Sequence, residues 1–262
     1  MALDFVGRSR ALSENGFAAV TGSLAVQAPE IWSVLSVETS GRGFLDDRRP
    51  PILYERHIFH RLTGGKFDDG DISDPQPGGY GAAGAHQYDR LARAIALDRG
   101  AALESASWGL GQILGQNFAA AGFGDVEAMV AAMIDGEDAQ LAAVAAFLRS
   151  SQLDAPLQAH DWTAFARGYN GPSFQKNEYD KKLQQKFEQF SAGPAPDLTV
   201  RAAQLYLSFL GLDPGPIDGI MGQKTRAALA TFQQQHGLAT PAPAAGELDA
   251  ALLDSLTTAA LG

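Results

Sequence analysis

The sequence predicts a mainly α-helical chain in two parts: an α+β unit with a small β-hairpin, and a separate three-helix bundle. Three observations predict this. Apolar residues recur at the helical period through most of residues 12–190. Between Gly43 and Glu55 that period gives way to two short apolar runs around a polar turn. At Ser191-Ala192-Gly193-Pro194-Ala195-Pro196-Asp197 the texture changes to small residues and prolines, which reads as a linker. The remaining residues, 198–262, make a segment of a size at which small domains fold alone.

Residues 1–11 read as a loose lead-in. Ser13 followed by Phe17, Val20 and Leu24 marks a first helix with Ser13 as its cap. Pro29 suits the first turn of a second helix. Ile31, Trp32, Val34, Leu35 and Val37 make that helix apolar nearly all round, so it should be buried. Glu38 lies at its end, and Gly41 can stop it by taking the left-handed conformation. Gly43-Phe44-Leu45 and Ile52-Leu53-Tyr54-Glu55 predict the two strands of the hairpin, joined by Asp46-Asp47-Arg48-Arg49-Pro50-Pro51. Arg56 to Leu62 reads as a helix ending at Gly64-Gly65. Residues 64–86, rich in Gly, Asp and Pro, predict an ordered loop bordering a cleft. Further helices are expected at Leu91–Leu97, Ala101–Leu103, Ser107–Leu114, after Asp125, across Leu141–Leu148, at Trp162–Ala166, and along Tyr179, Leu183 and Phe187. Residues 198–262 read as helix, glycine-rich turn, helix, Pro/Ala-rich loop and helix.

Composition narrows the function. Of 262 residues, 45% are apolar and 19% charged, enough apolar material for a core and too few charges for a disordered chain. The absence of cysteine excludes disulfides, thiolate metal sites and a thiol nucleophile. A formal charge of −10 without a basic run argues against nucleic acid and against an anionic membrane surface. Met1–Arg8 carries no basic stretch followed by an apolar core, so no secretory signal is expected. No window of about twenty residues is apolar enough to span a bilayer.

Several short words carry candidate chemistry. Glu38, at the end of a buried helix, is placed for a raised pKa, because a dry setting disfavours the charged form. A lone Glu there is equally compatible with a solvated helix end. In Ala106-Ser107-Trp108-Gly109-Leu110-Gly111-Gln112-Ile113, small residues let backbone approach a ligand closely, and Gln112 offers both donor and acceptor. Tyr169 and Asn170 close a helix at Gly171, and an aromatic body with a polar tip suits a sugar face. His57 and His60 share a helix face, but no third ligand is evident, and packing or an interaction with Glu55 explains them better. The acids of 64–86 lack EF-hand spacing. No metal and no cofactor are therefore expected.

Taken together, an acid at a helix end, a small hairpin, a Gly-Leu-x-Gln-Ile word and a Tyr-Asn-Gly word resemble the lysozyme-like superfamily, in its goose-type and soluble-transglycosylase branch. More narrowly, Val37-Glu38-Thr39-Ser40-Gly41, Ile52-Leu53-Tyr54-Glu55-Arg56-His57, Ser105–Gly109 and Arg167-Gly168-Tyr169-Asn170-Gly171 resemble the N-acetylmuramidase domain of phage endolysins over residues 12–190. Val200-Arg201 with Gln204 and Leu207, Gly215-Pro216-Ile217-Asp218-Gly219, Gly222, Thr225 and Phe232-Gln233 resemble the three-helix peptidoglycan-binding family over residues 198–262. Two departures stand out. The wall-binding segment follows the catalytic one instead of preceding it, and Gly111 occupies a position where that family has Met.

The resemblance implies a peptidoglycan hydrolase that cleaves the β-1,4 bond between N-acetylmuramic acid and N-acetylglucosamine, causing lysis. A lytic transglycosylase giving anhydro ends and a non-catalytic wall-binding protein are the alternatives. Glu38 would be the general acid, with Glu55 as candidate second carboxylate; a structural ion pair of Glu55 with Arg56 or another arginine is the competing reading. Gln112, Tyr169 and Asn170 would bind substrate. Asp218, Thr225 and Gln233 would lie near the wall-binding groove, although some of them would only hold the turn. The protein is expected to be a monomer, made in the host cytoplasm without a signal peptide and acting on the periplasmic wall after holin-assisted release. If the linker separates independent modules, removing 191–262 lowers wall binding and leaves some cleavage.

Overall fold

Ser13 opens the first helix by accepting a hydrogen bond from the Gly16 N–H through its side chain, and buried Val20 and Leu24 turn that helix inward. A computed structural model describes residues 5–39, 41–67, 69–238 and 248–262, with Thr39 described only by its backbone. Met1–Asp4, the Thr39 side chain and Ser40 of the acid-bearing word, Asp68 of the long loop, and the Pro/Ala-rich stretch 239–247 lie outside the described residues. The elements run α1 (Glu14–Leu24), α2 (Ala28–Thr39), β1 (Ile52–Tyr54), α3 (Arg56–Leu62), α4 (Gln87–Leu97), α5 (Arg99–Glu104), β2 (Ala106–Trp108), β3 (Ile113–Leu114), α6 (Val126–Asp135), α7 (Glu137–Ser150), α8 (Asp154–Gln158), α9 (Trp162–Asn170), α10 (Tyr179–Ala192), α11 (Leu198–Phe209), α12 (Gln223–Gln235) and α13 (Ala250–Leu261). The chain is mainly α with one small antiparallel sheet, as the apolar periodicity predicts.

Helix starts follow side-chain chemistry closely. Asp98, Asp125, Asp161, Asp197 and Asp249 each accept a backbone N–H of the first turn of α5, α6, α9, α11 and α13. Such caps are each worth about 1 kcal/mol. Behind them one apolar core gathers Trp32, Leu35, Tyr54, Phe59, Leu91, Trp108, Leu141 and Phe165. Within it α2 packs along α10 and α1 along α7.

The sheet corrects the expected hairpin. Ile52–Tyr54 is a strand, but its partner is Ala106–Trp108, with Ile52 opposite Trp108 and Tyr54 opposite Ala106. Gly43-Phe44-Leu45 cannot join a ladder. The Gly43 N–H donates to Glu137 Oε1 at 2.8 Å and its carbonyl accepts from Gln140 Nε2 at 3.0 Å, so side chains of α7 consume both groups. The tight turn Leu45–Arg49 closes on itself through the Leu45 N–H and the Arg49 carbonyl. The true hairpin is β2–β3, with Trp108 opposite Ile113. It replaces the helix expected over Ser107–Leu114, because Gly109 and Gln112 both take positive φ.

The lead-in is not loose from Phe5 onward. Phe5 is buried against Tyr88 and Trp108, and Arg10 bridges Gly136 in parallel. The long loop is ordered around buried Ile72 and Ser73, and its acids meet arginines. Asp69 and Asp71 pair with Arg93, Asp71 also with Arg90, and Asp74 with Arg56.

The C-terminal helices build a core of their own from Leu207, Leu229, Phe232, Leu252 and Leu256. They are nevertheless docked. Phe44, Leu205 and Ile217 form a second apolar cluster across the junction, with the rings of Phe44 and Phe209 edge to face at 6.3 Å. The Ala11 N–H donates to the Tyr206 hydroxyl at 3.1 Å. α10 continues through Ala192 and Asp197 already caps α11, leaving only residues 193–196 as extended connection.

Candidate active site

Glu38 is the penultimate residue of α2, a helix whose Ile31, Trp32, Ser33, Val34 and Leu35 are all buried. Its own side chain is half-buried at the helix end. Loss of water around the carboxyl pushes its pKa up to about 7, and a hydrogen bond from Asn170 Nδ2 to Oε1 at 2.9 Å partly offsets that rise. The group is therefore protonated in a good share of molecules at neutral pH and sits beside a neutral donor, not a cation. After the helix, Gly41 takes φ +79° and its N–H donates back to the Leu35 carbonyl at 3.1 Å. A side chain is disfavoured in that conformation, which is why the stop is a glycine.

Asn170 reaches Glu38 from the end of α9. Its Nδ2 is engaged, while its buried Oδ1 has no hydrogen-bond partner. Tyr169 lies close enough for Glu38 to raise its phenol further, after the larger effect of burial. However, its hydroxyl donates to the Gly111 carbonyl at 2.6 Å, and its ring packs on Phe147 and Phe165. Gln112 donates through Nε2 to the carbonyls of Pro51 and Gly109 at 3.1 and 2.9 Å. Both expected substrate binders thus spend their donors inside the protein: Tyr169 ties α9 to the hairpin turn, and Gln112 ties that turn to β1.

Glu55 sits between β1 and α3, at the N-cap position of α3, without capping it through its side chain. Burial raises its pKa. Arg56 is not its partner, since that guanidinium pairs with Asp74 at 3.3 Å and donates to the Gly70 carbonyl at 2.5 Å. His57 Nδ1 lies 3.6 Å from Glu55 Oε2. Desolvation and then the charges of Arg61 and Arg56 lower the His57 pKa, so at neutral pH the pair carries no ionic attraction. His60 Nδ1 instead meets Ser73 Oγ at 3.2 Å.

Two tyrosines that sequence reasoning passed over connect the acids. Tyr179, at the start of α10, has its phenol raised by burial, then by Glu38, then by Tyr80. Tyr80, 39% exposed in the Gly-rich loop, has its phenol raised by burial and then by Glu55. Tyr179 therefore feels Glu38, and Tyr80 feels Glu55. The signal for Tyr80 was available in Gly78-Gly79-Tyr80-Gly81, a large aromatic held among glycines.

In the C-terminal bundle, two of three expected wall contacts are structural. Asp218 Oδ1 accepts from the Ile220 N–H at 2.9 Å and from Gln204 Nε2 at 3.1 Å. Thr225 is 1% exposed, accepts from Gln204 and donates to the Pro214 carbonyl at 2.8 Å. Both hold the glycine-rich turn onto α11. Gln233 differs: it is buried, its Oε1 has no partner, and it lines a cavity of about 190 Å³ with Leu238, Asp249, Leu252 and Ser255.

Comparison with known proteins adds three findings. The N-acetylmuramidase family matches residues 27–191, and a putative peptidoglycan-binding domain matches residues 197–256. Among solved structures the chain is similar to the crystal structure of Burkholderia AP3 phage endolysin. The two are 37% identical over 70% of this chain and 72% of that one, with a TM-score of 0.64. A search of curated proteins found no match.

Proposed function

The chain belongs to the N-acetylmuramidase family, and from that premise we propose that Glu38 is the general acid that breaks the β-1,4 bond between N-acetylmuramic acid and N-acetylglucosamine. The protein is a glycoside hydrolase of the endolysin type, it acts on peptidoglycan, and it carries a peptidoglycan-binding domain. None of its described helices is long and apolar enough to cross a membrane.

The observation that carries the reading is the state of Glu38. A general acid must hold its proton at working pH and still release it to a leaving oxygen, which puts the useful pKa near the operating pH. Burial gives Glu38 that value, and Asn170 orients the carboxyl without a cation that would strip its proton. The unpartnered Oδ1 of Asn170 is left to accept a hydroxyl or acetamido N–H of the sugar.

Glu55 is the second carboxylate in this reading. It has no cationic partner at neutral pH, so it can take a proton from an attacking water. The tyrosine pair Tyr80 and Tyr179 offers rings for the sugar faces between the two acids. Gln233 and its cavity are the wall-contacting part of the bundle, and residues 12–190, 191–197 and 198–262 divide the work into cleavage, connection and wall binding. Delivery to the wall is holin-assisted, and the protein acts as a monomer.

The test is product analysis of digested murein by mass spectrometry. Reducing N-acetylmuramic acid ends are expected. Anhydro ends would replace water by the sugar's own 6-hydroxyl and remove the role given to Glu55. In parallel, Glu38→Gln should bind walls like the wild type and fail to clear a murein suspension; equal clearing by both would end the assignment of Glu38.

A further inference from the structure

Arg201 belongs to the wall-binding domain, on the second turn of α11, yet it is fully buried against the catalytic domain. Its Nη1 and Nη2 form a bidentate pair with Glu137 at 2.5 and 2.6 Å, and neither side chain is exposed to solvent. Its Nη2 and Nε also donate to the Gly41 carbonyl, at 2.5 and 3.2 Å. The guanidinium carbon stands 6.0 Å from the ring centre of Trp32 in α2. One side chain from the C-terminal domain therefore touches the body of the Glu38 helix and the turn that ends it.

Glu137 makes the arrangement a framework instead of a simple interdomain clasp. Its Oε1 also accepts the Gly43 N–H, and its Oε2 accepts the Leu12 N–H, both at 2.8 Å. One turn on, Gln140 holds the Gly43 carbonyl and the Leu110 N–H, the latter beside the hairpin turn that Tyr169 grips. The backbone leaving Glu38 is thus fixed at Gly41 by Arg201 and at Gly43 by Glu137 and Gln140. A Cβ at Gly41 would already approach the Ile217 carbonyl of the C-terminal domain to 3.4 Å, so the two backbones nearly touch there.

We propose that Arg201 is a positioning residue for cleavage: through the Gly41 carbonyl and Glu137 it holds the end of the Glu38 helix in register with Asn170, so the wall-binding domain completes the catalytic site as well as delivering it. This rests on Glu38 as the proton donor. An arginine is suited to the task because its planar fork reaches a carboxylate and a carbonyl at once, whereas a lysine ammonium is a single point of attachment. Loss of registration by about an ångström is enough to lower turnover on the order of 100-fold without touching the substrate.

The experiment uses the full-length protein and soluble, peptide-free murein glycan strands, so that cleavage is read apart from wall binding. Wild type, Arg201→Lys, Arg201→Met with Glu137→Gln, and Glu38→Gln are compared well below each melting midpoint, with bond cleavage counted regardless of whether the new ends are reducing or anhydro. The expected result is a fall in kcat of about 10- to 100-fold in the double variant, with KM within about twofold and wall sedimentation unchanged. Arg201→Lys should fall between it and the wild type. Should the double variant fail to fold, Arg201→Lys, which keeps a charge opposite Glu137, decides alone. Folded Arg201 variants with wild-type kcat, while Glu38→Gln is inactive, overturn the positioning role and leave Glu38 standing. Activity in Glu38→Gln overturns the reading on which the positioning rests.

Discussion

Glu38 links activity and stability through one proton. Its pKa rises from 4.5 to about 7 on folding, chiefly by desolvation. Because the folded state holds the proton more tightly, the group's contribution to stability is fully present below the unfolded value of 4.5. It is lost as pH rises through about 7. The difference corresponds to about 3 kcal/mol. Glu38→Gln has no proton to lose and keeps an oxygen for Asn170 Nδ2. It should therefore be more stable than the wild type at pH 8–9, by up to about 3 kcal/mol, and no more stable below pH 4.5. Urea unfolding at the two pH values checks this; a constant difference between them would show that the carboxyl is not desolvated. In the same variant, glycan cleavage should fall on the order of 100- to 10,000-fold. Asn170 works in the opposite direction to burial, since its hydrogen bond favours the ionised acid. Asn170→Ala should move the alkaline limb of the pH–rate profile above about 7. A limb that stays or falls would mean that the Asn170 amide does not act on this carboxyl.

At the scale of elements, the hairpin β2–β3 explains a departure visible in the sequence. Gly111 stands where the resembled family has Met, and here a Cβ at that position would lie 2.1 Å from Val144 Cγ2 and 3.0 Å from the Tyr169 hydroxyl. Gly111→Met should destabilise by about 1–3 kcal/mol through overpacking, and adding Val144→Ala should recover much of that loss by vacating the methyl position. Thermal melting of the single and double variants checks it; equal melting of Gly111→Met and wild type would mean that α7 can retreat from the turn. The same region marks where sequence reasoning reached its limit. Helices announced themselves by period and caps, as Ser13, Asp125 and Asp197 did. The strands are two or three residues long, and a short apolar run does not name its partner. Ile52–Tyr54 was recognisable, but its neighbour Ala106–Trp108 lies more than fifty residues away. Gly43–Leu45 was excluded from the sheet by Glu137 and Gln140, residues whose reach only the tertiary structure reveals. In the site, Glu38 and Asn170 were legible and do meet, whereas Gln112 and Tyr169 were legible as polar tips but turned inward to carbonyls.

Over the whole molecule, the linker suggests separable modules, and the junction makes them interdependent. Cutting after Ala192 would uncover Phe44, now 0% exposed, at about 2 kcal/mol of lost burial. It would also free the Gly41 carbonyl and remove the cation facing Glu137. The truncated catalytic domain should therefore melt below the full chain and lose most cleavage even of soluble glycan strands, instead of merely binding walls less well. A fragment as stable and as active on soluble strands as the full chain would restore the independent-module view. The buried pair itself separates two origins of this coupling. Arg201→Met in the full chain leaves Glu137 charged and enclosed, for which a loss of about 3–5 kcal/mol is expected. Glu137→Gln alone leaves Arg201 enclosed opposite a neutral amide, with a similar loss. Replacing both removes the unpaired charge, so the double variant should be less destabilised than the sum of the singles by about 3 kcal/mol or less. Denaturant unfolding of the four proteins closes the cycle. Additive losses would mean that solvent enters the junction and that the two side chains act separately. A large coupling with full recovery of stability, set beside turnover that does not recover, would locate the contribution of Arg201 in geometry at Gly41 instead of in the strength of the ion pair.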